Sequence, residues 1–144
     1  KFDNQTIKQV TRLVYWHDVR FGSLDEVSKK TVRRWASRIS VPLFEKLLKV
    51  QQADISAQST FMQEEKQQIL DRTRLLFEEI KEEEDCLQVK DLALDGKDLI
   101  SLGMKPGREI GEMLAGLLEL VLEDPAKNKR EVLEQAVRKK RGEL

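Results

Sequence analysis

The sequence lacks the residue types on which several kinds of site depend. Its 144 residues include one cysteine, Cys86, and one histidine, His17. A single cysteine cannot form an internal disulfide and is too few for a thiolate metal cage, which fits a reducing compartment and an inert thiol. A hydrolytic triad would have to use His17 without a nucleophile motif, and no Walker-type or dinucleotide-binding glycine loop is present. We therefore expect no catalytic residue in this chain.

Proline and aromatic residues are scarce, and long hydrophobic runs are missing. Three prolines and 6% aromatic residues accompany 36% charged residues, a composition that favours solvated helices over strands. The sequence contains no run of 18 apolar residues, which is about the length that a membrane-spanning helix needs, and it does not begin with a signal peptide. The composition predicts an all-α protein that is soluble and cytoplasmic. Because the sequence starts at Lys1 rather than at Met, we expect a fragment.

The net charge of zero conceals an uneven distribution. Residues 1–50 carry 11 Lys and Arg against 5 Asp and Glu, and residues 51–144 carry 15 against 21. Such a division is typical of a protein that binds a polyanion or whose halves attract each other. Ordinary solvated helix faces explain it equally well at this point.

Helical spacing and capping signals predict three helices in the first 58 residues. The first runs from residue 4 to about residue 18, with Asn4 able to cap its free N–H groups. Ser23 and Glu26 match a capping box for a second helix, which extends to Ile39. Pro42 suits the first turn of a third helix.

A longer helix is predicted from about residue 60. Met62, Ile69 and Leu76 recur every seven residues, and the acidic run of residues 82–85 favours termination at the negative end of the helix dipole. We expect an elongated multi-helix array with three parts: a helical subdomain (1–58), a connecting helix (59–85) and a tail (86–144).

Turn signals divide the tail into short helices. Asp95 and Gly96 predict a turn before a helix of residues 98–102, and Gly103 predicts its left-handed exit. An amphipathic helix then follows to residue 123.

The last helix is predicted to begin at a second capping box. Asn128 and Glu131 have the required spacing. Basic residues occupy the final turn, where they complement the helix dipole without any nucleic acid. These residues are Arg138, Lys139, Lys140 and Arg141.

His17 and Asp18 raise the question of a metal site. Metal-dependent phosphohydrolases of the HD type use an adjacent His and Asp as ligands, together with another histidine and a distant aspartate. Asp54 could supply only the last of these. Because no second histidine exists, we expect no metal site and interpret His17 and Asp18 as hydrogen-bonded residues at a helix end.

Small residues surround the start of the helix that follows Pro106. Gly107 and Gly111 leave its opening turns without side-chain bulk, so a phosphate could approach the backbone closely. Lys105 and Arg108 beside the free N–H groups would suit an anionic sugar-phosphate strand. From spacing alone, the alternative that Gly111 only admits a neighbouring helix is favoured.

Residues 94–133 carry a resemblance to a known family. Their sequence, LDGKDLISLGMKPGREIGEMLAGLLELVLEDPAKNKREVL, resembles the motif near the end of bacterial CCA-adding tRNA nucleotidyltransferases and the related poly(A) polymerases. The earlier segments TIKQVTRLVYWHD and ADISAQ are similar to the closing helices of that family's HD-related subdomain. The matching tail positions are Gly96, Asp98, Leu99, Leu102, Gly103, Pro106, Gly107, Ile110, Gly111, Leu114, Leu117, Leu118, Val121, Leu122 and Glu123.

The resemblance implies the body and tail of an enzyme whose catalytic head lies elsewhere. In that family the head adds C, C and A to the 3′ end of tRNA with Mg²⁺, CTP and ATP, and the helical part holds tRNA by shape and backbone contact. This chain would then bind tRNA and need no cofactor of its own. The expected RNA-binding residues are Lys29, Lys30, Arg33, Arg34, Lys105, Gly107, Arg108 and Gly111.

Two alternatives remain open from the sequence. One is a truncated or degenerate HD-type phosphohydrolase whose metal site would include His17, Asp18 and Asp54. The other is a structural role in which the acidic long helix mediates a homodimer.

Overall fold

The protein is all-α, as the composition predicts. A computed structural model describes residues 2–17, 19–58 and 63–143. Within these ranges there is no strand, and short 3₁₀ turns at Val89–Asp91 and Pro125–Lys127 accompany seven α-helices. The helices are α1 (Asn4–Trp16), α2 (Lys29–Ile39), α3 (Val41–Ala57), α4 (Gln63–Glu82), α5 (Gly96–Ser101), α6 (Arg108–Glu123) and α7 (Arg130–Lys140).

The chain divides into two compact units. The N-terminal unit comprises Lys1–Glu83 and contains α1 to α4, and the C-terminal unit comprises Glu84–Leu144 and contains α5 to α7. Within the first unit, the long helix α4 packs against both α2 and α3. The three-part division drawn from the sequence stays a prediction. Among the described residues, no helix combines the length and the apolar character that a membrane span needs.

Helix α1 begins at Asn4, as predicted, but a different residue caps it. Asp3 is the cap, because its carboxylate accepts the backbone N–H of Thr6 at 2.7 Å, so the expectation that Asn4 caps the helix is wrong. The helix ends at Trp16, and none of its residues is buried. Its apolar residues are largely exposed: Ile7 by 51%, Val10 by 54% and Val14 by 62%.

The start of α2 also differs from the prediction. Ser23 and Glu26 do interact, since the Glu26 carboxylate accepts the Ser23 N–H at 2.9 Å, but they close an isolated turn. The helix starts at Lys29, where the Ser28 hydroxyl accepts the N–H of Thr31. The predicted capping box is therefore wrong as a helix start, because Ser28 supplies the same capping chemistry five residues later.

Helix α3 follows α2 with a sharp change of direction. Ser40 adopts a φ of 92°, which is rare for a residue with a side chain, and Pro42 stands in the first turn of α3 as expected. The buried face of α3 centres on Phe44, whose ring lies 4.8 Å from that of Phe77 on α4 and 5.5 Å from that of Phe21. Aromatic packing of this kind ties the two helices together.

Helix α4 runs from Gln63 to Glu82 and ends in the acidic run, as predicted. Its start near residue 60 and the proposed heptad position Met62 lie outside the described residues. Two arginines on α4 satisfy carbonyl groups: Arg72 donates to Val27 O at 3.0 Å, and Arg74 donates to Leu48 O at 3.2 Å. These bonds anchor α4 to the segments that it covers.

The first α-helix of the C-terminal unit, α5, starts two residues earlier than expected and ends at Ser101. Asp95 and Gly96 do not form a separate turn, because Asp95 caps a helix whose first residue is Gly96. The Asp95 side chain accepts the Asp98 N–H, and the Asp98 side chain accepts the Asp95 N–H, each at 2.9 Å. The left-handed exit at Gly103 is confirmed, with a φ of 97°.

Helix α7 lacks the capping box that its sequence suggested. Lys129 is the cap residue, with no side-chain capping bond, and Asn128 turns to another segment. The Asn128 amide accepts the Ala93 N–H at 2.8 Å and donates to Asp91 O at 3.0 Å. The expectation failed because the backbone segment of Asp91 and Ala93, about 35 residues away, binds the same side chain.

The core of the C-terminal unit lies among α5, α6 and α7. Leu117 and Val121 on α6 meet Leu133 and Val137 on α7, and all four are fully buried. Burial of such side chains contributes roughly 1.5–3 kcal/mol each. Packing in this core determines which face of α6 is buried. The opposite face of α6 is exposed to solvent.

Candidate nucleic-acid interface

The start of α6 from Gly107 to Gly111, here named the α6 opening, lies at the surface. Gly107, the cap residue, has a φ of 145°, and a Cβ built at Gly107 or Gly111 would meet no atom within 4 Å. Within the described part of the C-terminal unit, Gly111 therefore does not admit a neighbouring helix. The first N–H groups of an α-helix have no partner within the helix and carry a partial positive charge. An anionic strand could therefore reach the peptide nitrogens here.

Two cationic side chains flank this opening. Lys105 is exposed, and Arg108 has 93% of its side chain exposed. The Arg108 guanidinium lies 3.1 Å from the Glu112 carboxylate one turn further along α6. An exposed pair of this kind is worth at most about 1 kcal/mol, so Arg108 can exchange it for a phosphate.

A cleft of about 550 Å³ adjoins the opening, where the end of α7 lies beside the first turns of α6. Arg141 lines this cleft and donates a hydrogen bond to Leu102 O at 2.7 Å, so a backbone carbonyl at the end of α5 has a partner. Sequence reasoning assigned Lys140 and Arg141 to the helix dipole alone and did not place them here. The cleft is lined by Gly103, Met104, Lys105, Glu109, Glu112, Met113, Lys140 and Arg141.

Gly116 is the one sequence signal that could have revealed this arrangement. A Cβ at Gly116 would collide with the Lys140 ammonium. The absence of a side chain at Gly116 lets Lys140 lie across α6. A glycine inside a helix costs about 1 kcal/mol relative to alanine, so it indicates close approach by another group.

The cations expected on α2 have different surroundings. Lys29 is held by two carboxylates, at 3.4 Å from Glu79 on α4 and at 2.7 Å from Glu83 just after that helix, and the hydrogen bond to Glu83 is the main reason that the pKa of Lys29 is raised. Arg33 is buried, with 6% exposure, Lys30 is half-buried and Arg34 is exposed. These four residues belong to the N-terminal unit, whereas the α6 opening belongs to the C-terminal unit.

His17 and Asp54 face the same cavity in the N-terminal unit. Its volume is about 440 Å³, and its lining also includes Arg20, Glu65 and Lys66. Asp54 accepts a hydrogen bond from Gln58 at 2.8 Å. Asp18 lies outside the described residues, and within the part of the chain that the structure describes no three His, Cys, Asp or Glu residues cluster as metal ligands would.

Cys86 is surrounded by the core of the C-terminal unit. It is buried, and desolvation raises the pKa of its thiol above the ordinary value. Its Sγ donates to Gln88 O at 3.4 Å. A thiol held in the protonated form at neutral pH is a poor nucleophile, which agrees with the expectation that Cys86 is inert.

The described residues form an all-α protein, and its sequence can be compared with known families. The family model described as tRNA nucleotidyltransferase domain 2, putative, matches residues 1–137, and the chain belongs to this family. The resemblance drawn from the tail motif is thereby confirmed. No curated protein and no solved structure matches the chain.

Proposed function

We propose that this chain docks tRNA so that the 3′ end reaches a catalytic head outside the 144 residues. The head would bind Mg²⁺, CTP and ATP and would decide which nucleotides are added. One observation carries the proposal: the α6 opening is unobstructed at Gly107 and Gly111, with Lys105 and Arg108 beside it. The chain's family, whose description names tRNA nucleotidyltransferase, supplies the substrate class.

The chemistry of the opening suits a sugar-phosphate backbone. Peptide N–H groups at a helix start bind phosphate oxygens regardless of base sequence. Lys105 and Arg108 add charge that attracts the strand and releases its counterions. Contacts of this kind recognise the backbone and shape of an RNA rather than its base sequence.

Gly111→Ala separates RNA binding from folding. The added methyl group meets no atom of the chain within 4 Å, and alanine stabilises a helix by about 1 kcal/mol relative to glycine. We expect a higher melting temperature together with weaker tRNA binding, because the methyl group occupies the path of the strand. Thermal unfolding and fluorescence anisotropy with a tRNA transcript measure the two effects. Unchanged affinity in the stabilised variant would remove Gly111 from the interface.

Arg108→Ala tests the electrostatic part of the proposal. Loss of one phosphate contact should reduce the slope of log affinity against log salt by about 0.7–0.9. Lys49→Ala, which removes an exposed lysine of α3 in the N-terminal unit, is the control and should leave the slope unchanged. Equal slopes in both variants would argue against Arg108.

The shared cavity of His17 and Asp54 favours one alternative, a phosphohydrolase of the HD type. In that case the purified chain should retain a divalent metal in stoichiometric amount, and His17→Ala should lose it. Lys66→Ala changes a residue of the same cavity whose ammonium group cannot bind a metal ion, and it serves as the control. Metal content that is the same in all three proteins would leave tRNA docking as the better account.

Self-association through the acidic face of α4 stays a prediction. In the N-terminal unit, Glu79 and Glu83 already hold Lys29, and Lys81 pairs with Glu45 at 2.9 Å. Light scattering of the chain over a range of concentrations measures its mass, and a constant monomer mass would exclude the dimer.

A further inference from the structure

The cleft beside the α6 opening has a composition that phosphate binding alone does not explain. Glu109 and Glu112 line it together with Lys105 and Lys140. A carboxylate placed next to a phosphate repels it, since two negative charges 7 Å apart in water oppose each other by roughly 0.6 kcal/mol. A surface that served only phosphates would hold lysines or neutral groups at these positions.

The ribose of an RNA strand offers what the carboxylates can use. Each nucleotide carries a 2′-hydroxyl that donates a hydrogen bond, and this group distinguishes RNA from DNA at any sequence. Carboxylate oxygens accept such bonds and cannot donate. Alternating cations and carboxylates therefore fit the alternating phosphates and ribose hydroxyls of one RNA backbone.

The two carboxylates of the cleft are not equivalent. The Glu112 carboxylate is occupied by the Arg108 guanidinium at 3.1 Å. Among the described residues, no ion pair or hydrogen bond engages the Glu109 side chain, which is exposed in the first turn of α6. A carboxylate in the first turn also interacts favourably with the helix dipole, but this interaction does not involve the neighbouring cleft.

We propose that Glu109 accepts a ribose 2′-hydroxyl of the bound RNA strand while Lys105 and Lys140 hold the adjacent phosphates. Lys140 is positioned for this by Gly116, over which its ammonium lies. The inference rests on the proposed tRNA docking and adds to it a means of selecting RNA over DNA. It also brings into the interface Lys140, which comes from the far end of the C-terminal unit.

The direction in which one substitution changes the affinity for RNA tests the proposal. Glu109→Ala removes a negative charge, so simple electrostatics predicts tighter binding of any nucleic acid. We expect instead that affinity for an RNA hairpin of the tRNA acceptor end falls about fivefold, because a hydrogen bond to a charged acceptor is lost. Affinity for the 2′-deoxy version of the same hairpin should rise about twofold, because only the repulsion is removed.

Glu119→Ala is the matched control, since Glu119 is an exposed carboxylate of α6 outside the cleft. It should change the binding of the two hairpins in the same direction. Equal gains for both hairpins in Glu109→Ala would overturn the role of Glu109 and leave tRNA docking intact. If the unsubstituted chain binds neither hairpin, the docking proposal fails, and the role of Glu109 fails with it.

Gly116→Ala tests the position of Lys140 independently. The new methyl group displaces the Lys140 ammonium, a flexible group that can move aside, so the fold should be preserved. We expect weaker binding of both hairpins, matching the effect of Lys140→Ala. Unchanged binding in both variants would remove Lys140 from the proposed site.

Discussion

The two units are stabilised by cores of different composition. In the N-terminal unit the large side chains of α2, α3 and α4 form an aromatic and aliphatic core around Phe44 and Phe77. The C-terminal unit is smaller, and side chains that bond to backbone groups fix its short helices: Asn128 joins the segment of Ala93, and Arg141 ends α5. The comparison teaches that a unit whose core contains no aromatic residue fixes its helices with side-chain bonds to backbone groups, as Arg72 and Arg74 also do in the N-terminal unit.

The location of the tryptophans allows the two units to be followed separately. Trp16 and Trp35 both belong to the N-terminal unit, with ring centroids 5.7 Å apart. Tryptophan fluorescence therefore reports the unfolding of that unit, whereas far-UV circular dichroism reports the helices of both.

The largest effect is expected at Phe44. Its side chain is fully buried between Phe21 and Phe77, and replacement by alanine leaves a cavity. Phe44→Ala should lower the free energy of unfolding of the N-terminal unit by about 3–5 kcal/mol. Urea unfolding followed by fluorescence measures the loss. A change below about 1 kcal/mol would contradict the assignment of the core.

A smaller effect is expected at Asn128 in the C-terminal unit. Asn128→Ala removes two hydrogen bonds, to Ala93 N and to Asp91 O, and should cost about 2 kcal/mol. Asn128→Asp keeps only the acceptor and should show part of the loss. The change should appear in circular dichroism and leave the fluorescence transition in place. A shift of both transitions would show that the units unfold together.

Acid should weaken the C-terminal unit through Asp98. The Asp95 N–H and then the Arg130 guanidinium, 3.1 Å away, hold the pKa of Asp98 below its ordinary value of 3.8. The folded-state pKa is the lower one, so this stabilisation is present above the unfolded pKa and is lost as pH falls through the folded pKa. Asp98→Asn should show a flatter loss of helix signal below pH 3.8. An identical slope in both proteins would exclude Asp98.

The smallest effect is expected on α1. Val10 is 54% exposed, and Val10→Ala should change the stability of the N-terminal unit by no more than about 0.5 kcal/mol. Fluorescence-monitored unfolding at two protein concentrations measures it. A loss above about 1 kcal/mol, larger at high concentration, would show that this face is covered in solution.

Sequence reasoning was reliable for elements whose signals are local. The Pro42 start of α3, the acidic end of α4 and the Gly103 exit from α5 depend on residues within one turn of the chain. Capping residues were less predictable. Asp3 and Ser28 cap their helices in place of neighbours with similar side chains, and Asn128 bonds to a distant segment instead of capping α7.

The candidate site shows the same division. Spacing alone favoured the alternative that Gly111 admits a neighbouring helix, which the structure contradicts, because a Cβ at Gly111 meets no atom within 4 Å. Only the location of the glycines at the start of α6 could be inferred from spacing. The pairing of Lys29 with Glu79 and Glu83 could not, since it joins residues about 50 positions apart. The contribution of Lys140 to the cleft was hidden for the same reason.

The sequence by itself determined that the chain is helical, where α6 begins, and which family it belongs to. Periodicity and turn residues act over three or four positions, and these features need no more than that range. Only the tertiary structure decided which cations are paired, which apolar face stays exposed, and which lysine lies beside Glu109. Those outcomes depend on the packing of distant helices, which no local pattern encodes.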